Sequence, residues 1–338
     1  MGRAARYAVE RAAVAAPDTD ALLGAIPSAV QQLVGCGPVF AAASDPLSLH
    51  FTRAARREIS DAAAAQFMAL EAGTPDVVKF RELAVSRDPV DSLMNATDST
   101  PDMSRRWREV IEPLGWGDEL RVACRDGGRT WGFLCLHRGG GEAAFSGDDA
   151  AALREVSPIL AAAFRRTALA GAGVRDDATP GPGVVVLDDE LVVTSMSGTA
   201  AQWLETLGPA DAGLPIALMS VAVHALSSGD PQTVAVITRD RRWLSVHASV
   251  LHGPDGRSVA VLLQPAHPID ALPSLAAAMH LTPRETEVTE AVLRGLSDRA
   301  IARTLAISEY TVQDHLKHVY AKTNTRGRAE LAARLLLG

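Results

Sequence analysis

A chain of 338 residues is too long for one ordinary core, so two or three domains are expected. Hydrophobic residues at 47% and charged residues at 22% describe a globular protein, and no apolar run is long enough to cross a bilayer. The net charge of −7 argues against a chain coated in nucleic acid along its whole length.

Residues 1–20 carry Arg and Glu and lack the apolar stretch of a signal peptide, and Arg6 stands where N-myristoylation needs Ser or Thr. A cytoplasmic protein without membrane contact is expected. Three cysteines, Cys36, Cys124 and Cys135, show no CxxC or Cys–His metal spacing, so neither a disulfide framework nor a metal site follows from them. Only three of the 33 basic residues are lysines, namely Lys79, Lys317 and Lys322, a usage that fits a GC-rich genome.

The first part opens with a helical pattern over Asp20–Val34 and a short strand at Val39–Ala43, with helices expected at Glu58–Glu71 and Ser104–Leu114. Its clearest strand signal is Glu119–His137, where Leu120, Val122 and Cys124 alternate with Arg121, Ala123 and Arg125 before the turn Asp126-Gly127-Gly128. With Gly127-Gly128 as a two-residue loop, Cys124 would face Trp131 and Cys135 would face Leu120, leaving both thiols on one face about 13 Å apart. Trp131, Phe133, Cys124 and Cys135 would then line a pocket or, more simply, form sheet core. A long helix over Ser146–Leu169 closes this part, and Gly139-Gly140-Gly141 lacks the Lys-Ser/Thr of a phosphate loop.

Two joints, Asp176–Gly183 and Pro265–Pro273, read as linkers, and no internal repeat is visible. Between them the pattern is a hairpin (Val184–Leu187 and Leu191–Thr194), helices at Thr199–Leu207 and Leu214–Ser227, and strands at Thr233–Thr238, Trp243–Leu251 and Ser258–Leu263. The order β-β-α-α-β-β-β predicts an antiparallel sheet with helices on one side. The opening Val184–Glu190 resembles that of a receiver domain, but a receiver needs a lysine late in its sheet, and none lies between Lys79 and Lys317. His224, His247 and His252 have no haem or metal spacing, and no catalytic constellation is present, so no enzyme is expected.

From Leu281 the chain holds nine Lys+Arg against seven Asp+Glu, so this end is +2 and the remainder −9. Thr282-Pro283-Arg284-Glu285 is a capping box with proline at the first helical position, and Gly295 ends that helix. Ser297 caps a second short helix, Ala306-Ile307 turns, and Ser308 caps a third helix to about Lys322 with Val312, Leu316 and Val319 inward. A helix pair joined this way is a helix-turn-helix, whose second helix enters the major groove. Tyr310, Gln313, Asp314 and Lys317 project opposite the apolar stripe. Gln can pair with adenine, Lys can donate to guanine and Asp can accept from cytosine. Lys322, Arg326 and Arg328 suit phosphates.

At these residues the third part resembles the LuxR-type (GerE/NarL-like) helix-turn-helix, in Leu281–Val288, Ile301-Ala302, Leu305, Ile307-Ser308, Thr311-Val312, His315-Leu316, Lys322 and Arg328–Leu331. Gln313 stands where most members carry Lys, and Thr323-Asn324-Thr325 replaces the commoner Leu-Gly-Val. The resemblance implies a four-helix domain, DNA contacts from Arg299, Ser308, Tyr310, Thr311, Gln313, Asp314, His315, Lys317, Lys322, Arg326 and Arg328, and a dimer through Leu331, Ala332 and Leu335. The first part resembles a GAF domain and the second a PAS domain.

The expectation is a multidomain α+β protein: a GAF-like α/β sheet domain (1–175), a PAS-like antiparallel-sheet domain (183–265), a linker (266–280) and an all-α helix-turn-helix (281–338). The resemblances imply a homodimeric, nucleoid-associated transcription regulator that binds double-stranded DNA, contacts RNA polymerase, answers to a small-molecule effector and needs no cofactor. The rival is a signalling scaffold whose DNA affinity is incidental.

Overall fold

The computed structural model describes residues 3–170, 180–208, 214–254, 256–266 and 268–336, which form three units. The first begins with α1 (Arg3–Ala15), α2 (Thr19–Val34), β1 (Val39–Ser44) and β2 (Phe51–Arg57). Helix α2 starts because the Asp18 carboxylate accepts from the Ala21 N–H (2.8 Å), and it stops where Gly35 turns left-handed. Next come α3 (Asp61–Gly73), α4 (Phe80–Val85), β3 (Val90–Ser92), α5 (Leu93–Ala96), β4 (Trp116–Asp126), β5 (Arg129–Gly139) and α6 (Gly147–Ala170). The helix expected at Ser104–Leu114 is π-helical over Trp107–Ile111. The sheet is antiparallel in the order β2-β1-β5-β4-β3.

One residue changes the expected pairing of β4 with β5. Arg125 pairs with Thr130 but Cys124 pairs with Gly132, so Trp131 is extra and the ladder bulges. Gly132 suits this site, since a Cβ there would lie 2.6 Å from both the Ala42 carbonyl and the Phe164 ring. Beyond the bulge Cys135 faces Arg121, not Leu120, and His137 faces Glu119. A shift of one residue exchanges faces. Cys124 and Trp131 therefore pack with α1, α2 and α6, whereas Phe133 and Cys135 belong to a second core with Phe51, Met68 and Phe80. The expected common face for the two thiols is corrected.

The second unit is β6 (Gly183–Leu187), β7 (Val193–Met196), α7 (Gly198–Leu207), α8 (Ile216–Ser228), β8 (Gln232–Ile237), β9 (Trp243–Gly253) and β10 (Gly256–Pro265). These are the seven elements expected, in the expected order. The sheet order is β7-β6-β10-β9-β8, so counted within each sheet both units run 2-1-5-4-3. Leu187, Trp203, Leu218, Val221, Val246 and Val261 form its core.

The second unit leans on the first through α8, which crosses β2 and α3. Arg53 donates to the Leu207 and Ile237 carbonyls (3.0 and 2.7 Å). His50, 1% exposed, reaches Ser220 Oγ at 3.1 Å and Gln232 Oε1 at 3.2 Å. Burial, with His224 and Arg81 nearby, lowers its pKa from 6.5 to about 4, against the smaller opposing pull of Gln232 and Asp45. A folded-state pKa below the unfolded one gives stability that is full above pH 6.5 and lost as pH falls toward 4. The melting temperature of the wild type is therefore expected to fall more than that of His50→Gln across this window. Parallel curves would remove His50 from the acid response.

The third unit is helical: α9 (Pro268–Ala278), α10 (Pro283–Leu293), α11 (Asp298–Thr304), α12 (Glu309–Thr323) and α13 (Arg328–Leu336). The segment expected as a linker at Pro265–Pro273 is thus largely helix, because Ala271, Leu272, Leu275 and Ala276 form an apolar stripe buried in the core of this unit. Ala277 and Ala278 belong instead to the core under the first sheet. The Asp176–Gly183 joint lies, up to residue 179, outside the described residues. Among the described residues no helix is long and apolar enough to cross a membrane.

Candidate functional site

Helix α10 begins with the capping box the sequence predicts: Thr282 Oγ accepts from the Glu285 N–H, and the Glu285 carboxylate accepts from the Thr282 N–H at 2.7 Å. Ser297 and Ser308 cap α11 and α12 in the same way. Between α11 and α12 the chain turns at Ala306, which takes a left-handed φ of 53°. Val288, Ile301, Val312 and Val319, all fully buried, hold the three helices together.

The same packing turns the polar ridge of α12 outward. Tyr310 is 76% exposed, so it does not pack against the protein. Gln313, Asp314 and Lys317 are exposed and make no hydrogen bond or ion pair among the described residues, so Asp314 pairs with neither Lys317 nor His318. His318 is exposed on the same helix. Arg299 is also exposed, and His315 is half-buried. Ser308 and Thr311 spend their hydroxyls on each other (2.8 Å) and on the cap.

The basic residues after the ridge divide. Lys322 Nζ donates to the buried Glu285 carboxylate at 2.6 Å, which ties the end of α12 to the start of α10. Burial alone would raise the Glu285 pKa, but Lys322 and Thr282 hold it below its ordinary value. Arg328 donates to the Leu296 carbonyl and pairs with Asp298. Both side chains act as struts, where the sequence expects phosphate contacts. Arg326 stays exposed. Lys322→Ala is expected to destabilise this unit by about 1–2 kcal/mol, because a buried carboxylate loses its cation, and to leave the salt slope of duplex binding unchanged. A flatter slope with unaltered melting would restore the phosphate role.

Asn324 explains one departure from the family pattern. It ends α12 in the left-handed region (φ 51°), where asparagine is tolerated next after glycine, while the flanking Thr323 and Thr325 hydroxyls pair at 2.9 Å inside the core. The expected dimer set is also corrected. Leu331 and Leu335 are 0% and 3% exposed and face the core of their own unit, where α13 meets α9 and α10. Ala332 is half-buried, with Ala329 and Ala333 exposed beside it.

A second site lies upstream. A cleft of about 1080 Å³ opens between the first sheet and α8, with Arg121, Cys135 and His137 on its floor, Met68 at its side and Met219 and Val223 above. Of the four residues expected to line one pocket only Cys135 reaches this cleft. Phe133 packs behind it, Trp131 borders a smaller cleft of about 570 Å³, and Cys124 is core.

The floor is a buried polar network. Glu119 Oε2 accepts from Arg106 (2.7 Å) and lies 3.0 Å from Arg121 Nε, Arg121 donates to Glu71 (2.6 Å), and Asp76 lies 3.6 Å from Arg106. Burial would raise the Glu119 carboxyl, but Arg106 and Arg121 hold it well below the usual range. Burial pushes His137 down to about 4, so its ring is neutral at neutral pH, and burial beside Glu119 pushes the Cys135 thiol far up. The sequence reading passed over Glu119, Arg121 and His137. The signal was the alternation of Cys135 with His137, which becomes meaningful only once the bulge is placed. By contrast His224 bonds the Ser220 carbonyl and His247 bonds Thr233, and among the described residues neither joins a cluster of metal-ligating groups.

Comparison with known proteins agrees with this geometry at the C-terminus. Residues 279–335 match the family described as bacterial regulatory proteins, luxR family. The third unit is a LuxR-type helix-turn-helix domain. The chain is 31% identical over 128 residues to the probable HTH-type transcriptional regulator GfsR of Streptomyces halstedii, covering 35% of this chain and 48% of that protein. It is 42% identical over 52 residues to the nitrate/nitrite response regulator NarL of Escherichia coli, covering 15% and 24%. The chain thus spans less than half the length of these relatives. Among solved structures, Escherichia coli SdiA aligns over 99% of this chain and 98% of its own at 14% identity and a TM-score of 0.35. Vibrio cholerae VqmA aligns over 47% and 83% at 17% identity and a TM-score of 0.22.

Proposed function

We propose that this protein is a sequence-specific DNA-binding transcription regulator whose duplex affinity is set by a small molecule held in the upstream units. The observation that carries the reading is the α12 ridge: Gln313, Asp314 and Lys317 exposed together, without protein partners, on the second helix of a helix-turn-helix. The match to the luxR family over residues 279–335 supports it.

In this reading the first unit is GAF-like and the second PAS-like, and the cleft between them is the effector site. Two copies place two α12 helices on the half-sites of a dyad, with the upstream units favouring or disfavouring that geometry. The outward alanines of α13, not its leucines, are then the surface it offers to a second copy. The protein works in the cytoplasm at the nucleoid, where RNA polymerase is its further partner.

Selection of bound fragments from genomic DNA by the purified full-length protein tests the reading. The expected result is a shared, partly dyadic motif whose preference over random competitor survives near-physiological salt. Fragments no different from bulk DNA, with binding that vanishes as salt rises, would leave only incidental affinity and sink the proposal.

A further inference from the structure

The bulge in the first sheet gathers three buried donor side chains, two of which, Cys135 and His137, line the cleft. Glu119 and His137 are cross-strand partners, and Cys135 lies two residues from His137 on the same face of β5. Their donor atoms all lie within 4.8 Å of one another, with Cys135 Sγ 3.1 Å from Glu119 Oε1 and 3.4 Å from His137 Nε2. We propose that Glu119, Cys135 and His137 form a site for a divalent transition metal, zinc by its donor chemistry, with the fourth position facing the cleft.

The distances suit the assignment. Zinc bonds of about 2.3 Å to sulfur and about 2.0–2.2 Å to nitrogen or oxygen set neighbouring tetrahedral donors roughly 3.3–3.6 Å apart. Both edges from the thiol are near that length, and the remaining edge needs at most roughly 1.5 Å of closure. Three protein ligands drawn from thiolate, imidazole and carboxylate are what zinc sites that keep one position open use. Here Cys135 and His137 line the cleft, so water or a donor atom of a bound small molecule completes the shell.

The two guanidiniums beside the site do not forbid a cation. Arg106 and Arg121 both face Glu119 Oε2 and leave Oε1 directed at the thiol. They are matched by three carboxylates, Glu71, Asp76 and Glu119, each with a side chain no more than 7% exposed. The imidazole is set for coordination as well. His137 is 1% exposed, lies against Trp116 (ring centroids 4.3 Å) and Phe67 (5.4 Å), and its Nδ1 has no hydrogen-bond partner. Metal entry displaces one proton from Cys135 Sγ to solvent and changes no oxidation state.

Cobalt(II) titration of the metal-stripped full-length protein reads the site directly. One equivalent of Co²⁺ is expected to give a near-ultraviolet thiolate-to-cobalt charge-transfer band, displaced by Zn²⁺. The band should be lost in Cys135→Ser and kept in Cys36→Ser. No band in the wild type, or a band that persists in Cys135→Ser, overturns the proposal. X-ray absorption of the Zn²⁺-loaded wild type makes the test independent of any variant's folding. One sulfur at about 2.3 Å and at least one imidazole nitrogen are expected, and a first shell without sulfur overturns it equally. Neither readout contains DNA, so failure here leaves the reading of the third unit standing.

Discussion

Lys317→Ala is expected to weaken binding to the selected duplex roughly 10- to 100-fold and to relax preference at one base position, the loss typical of one base-edge contact. Lys317 sits two turns into α12 on the face opposite Val312, Leu316 and Val319, and no carboxylate among the described residues holds it. It is thus free to donate to a guanine edge, whereas Lys322, five residues on, is tied to Glu285. Gln313→Ala should act the same way at a neighbouring position, with adenine as its partner. Anisotropy titrations against every single-base variant of the site decide the matter. An equal loss on all sequences would make Lys317 a phosphate contact, and no loss at all would place α12 outside the interface.

Arg121→Met is expected to destabilise the first unit by about 3–5 kcal/mol. Arg121 is 2% exposed, and its removal leaves Glu71 without its cation and Glu119 with one cation of two. The guanidinium also lies over the Phe80 ring (4.4 Å), so packing is lost along with charge. Arg154→Ala gives the contrast. Its pair with Asp88 is 42% and 51% exposed, and less than about 1 kcal/mol should change. Hydrogen exchange of the β4 and β5 amides separates the two variants in the full chain, where a single unfolding free energy is not defined across three units. Equal protection in Arg121→Met and the wild type would mean that the network contributes little to folding.

The elements legible in the sequence were those whose local signals agree. The capping box at Thr282, the serine caps at Ser297 and Ser308 and the 3.6-residue stripe of α12 are short-range patterns, and each falls where expected. The seven elements of the second unit were readable for the same reason. The bulge at Trp131 was not, because nothing local distinguishes an extra residue from a paired one; Gly132 is required by Ala42 and Phe164, far off in the chain. That single shift hid the Glu119, Cys135 and His137 cluster. Helix α9 was missed because three prolines in nine residues outweighed its four-residue apolar stripe, and only tertiary burial of Leu272 and Leu275 reverses that balance. The carboxylates that Lys322 and Arg328 meet were not legible, since sequence shows charge but not its partner.

Helix α9 is a party wall. One side of it closes the interior beneath the first sheet with Ala277 and Ala278, and the other closes the interior of the duplex-reading unit with Leu272 and Leu275. Arg165 fastens it further by donating to the Ala278 carbonyl at 3.0 Å. Neither room can be reshaped at this wall without disturbing the other, so in the proposed reading any change upstream that moves α9 and the grip on a duplex are bound by one reciprocal free energy.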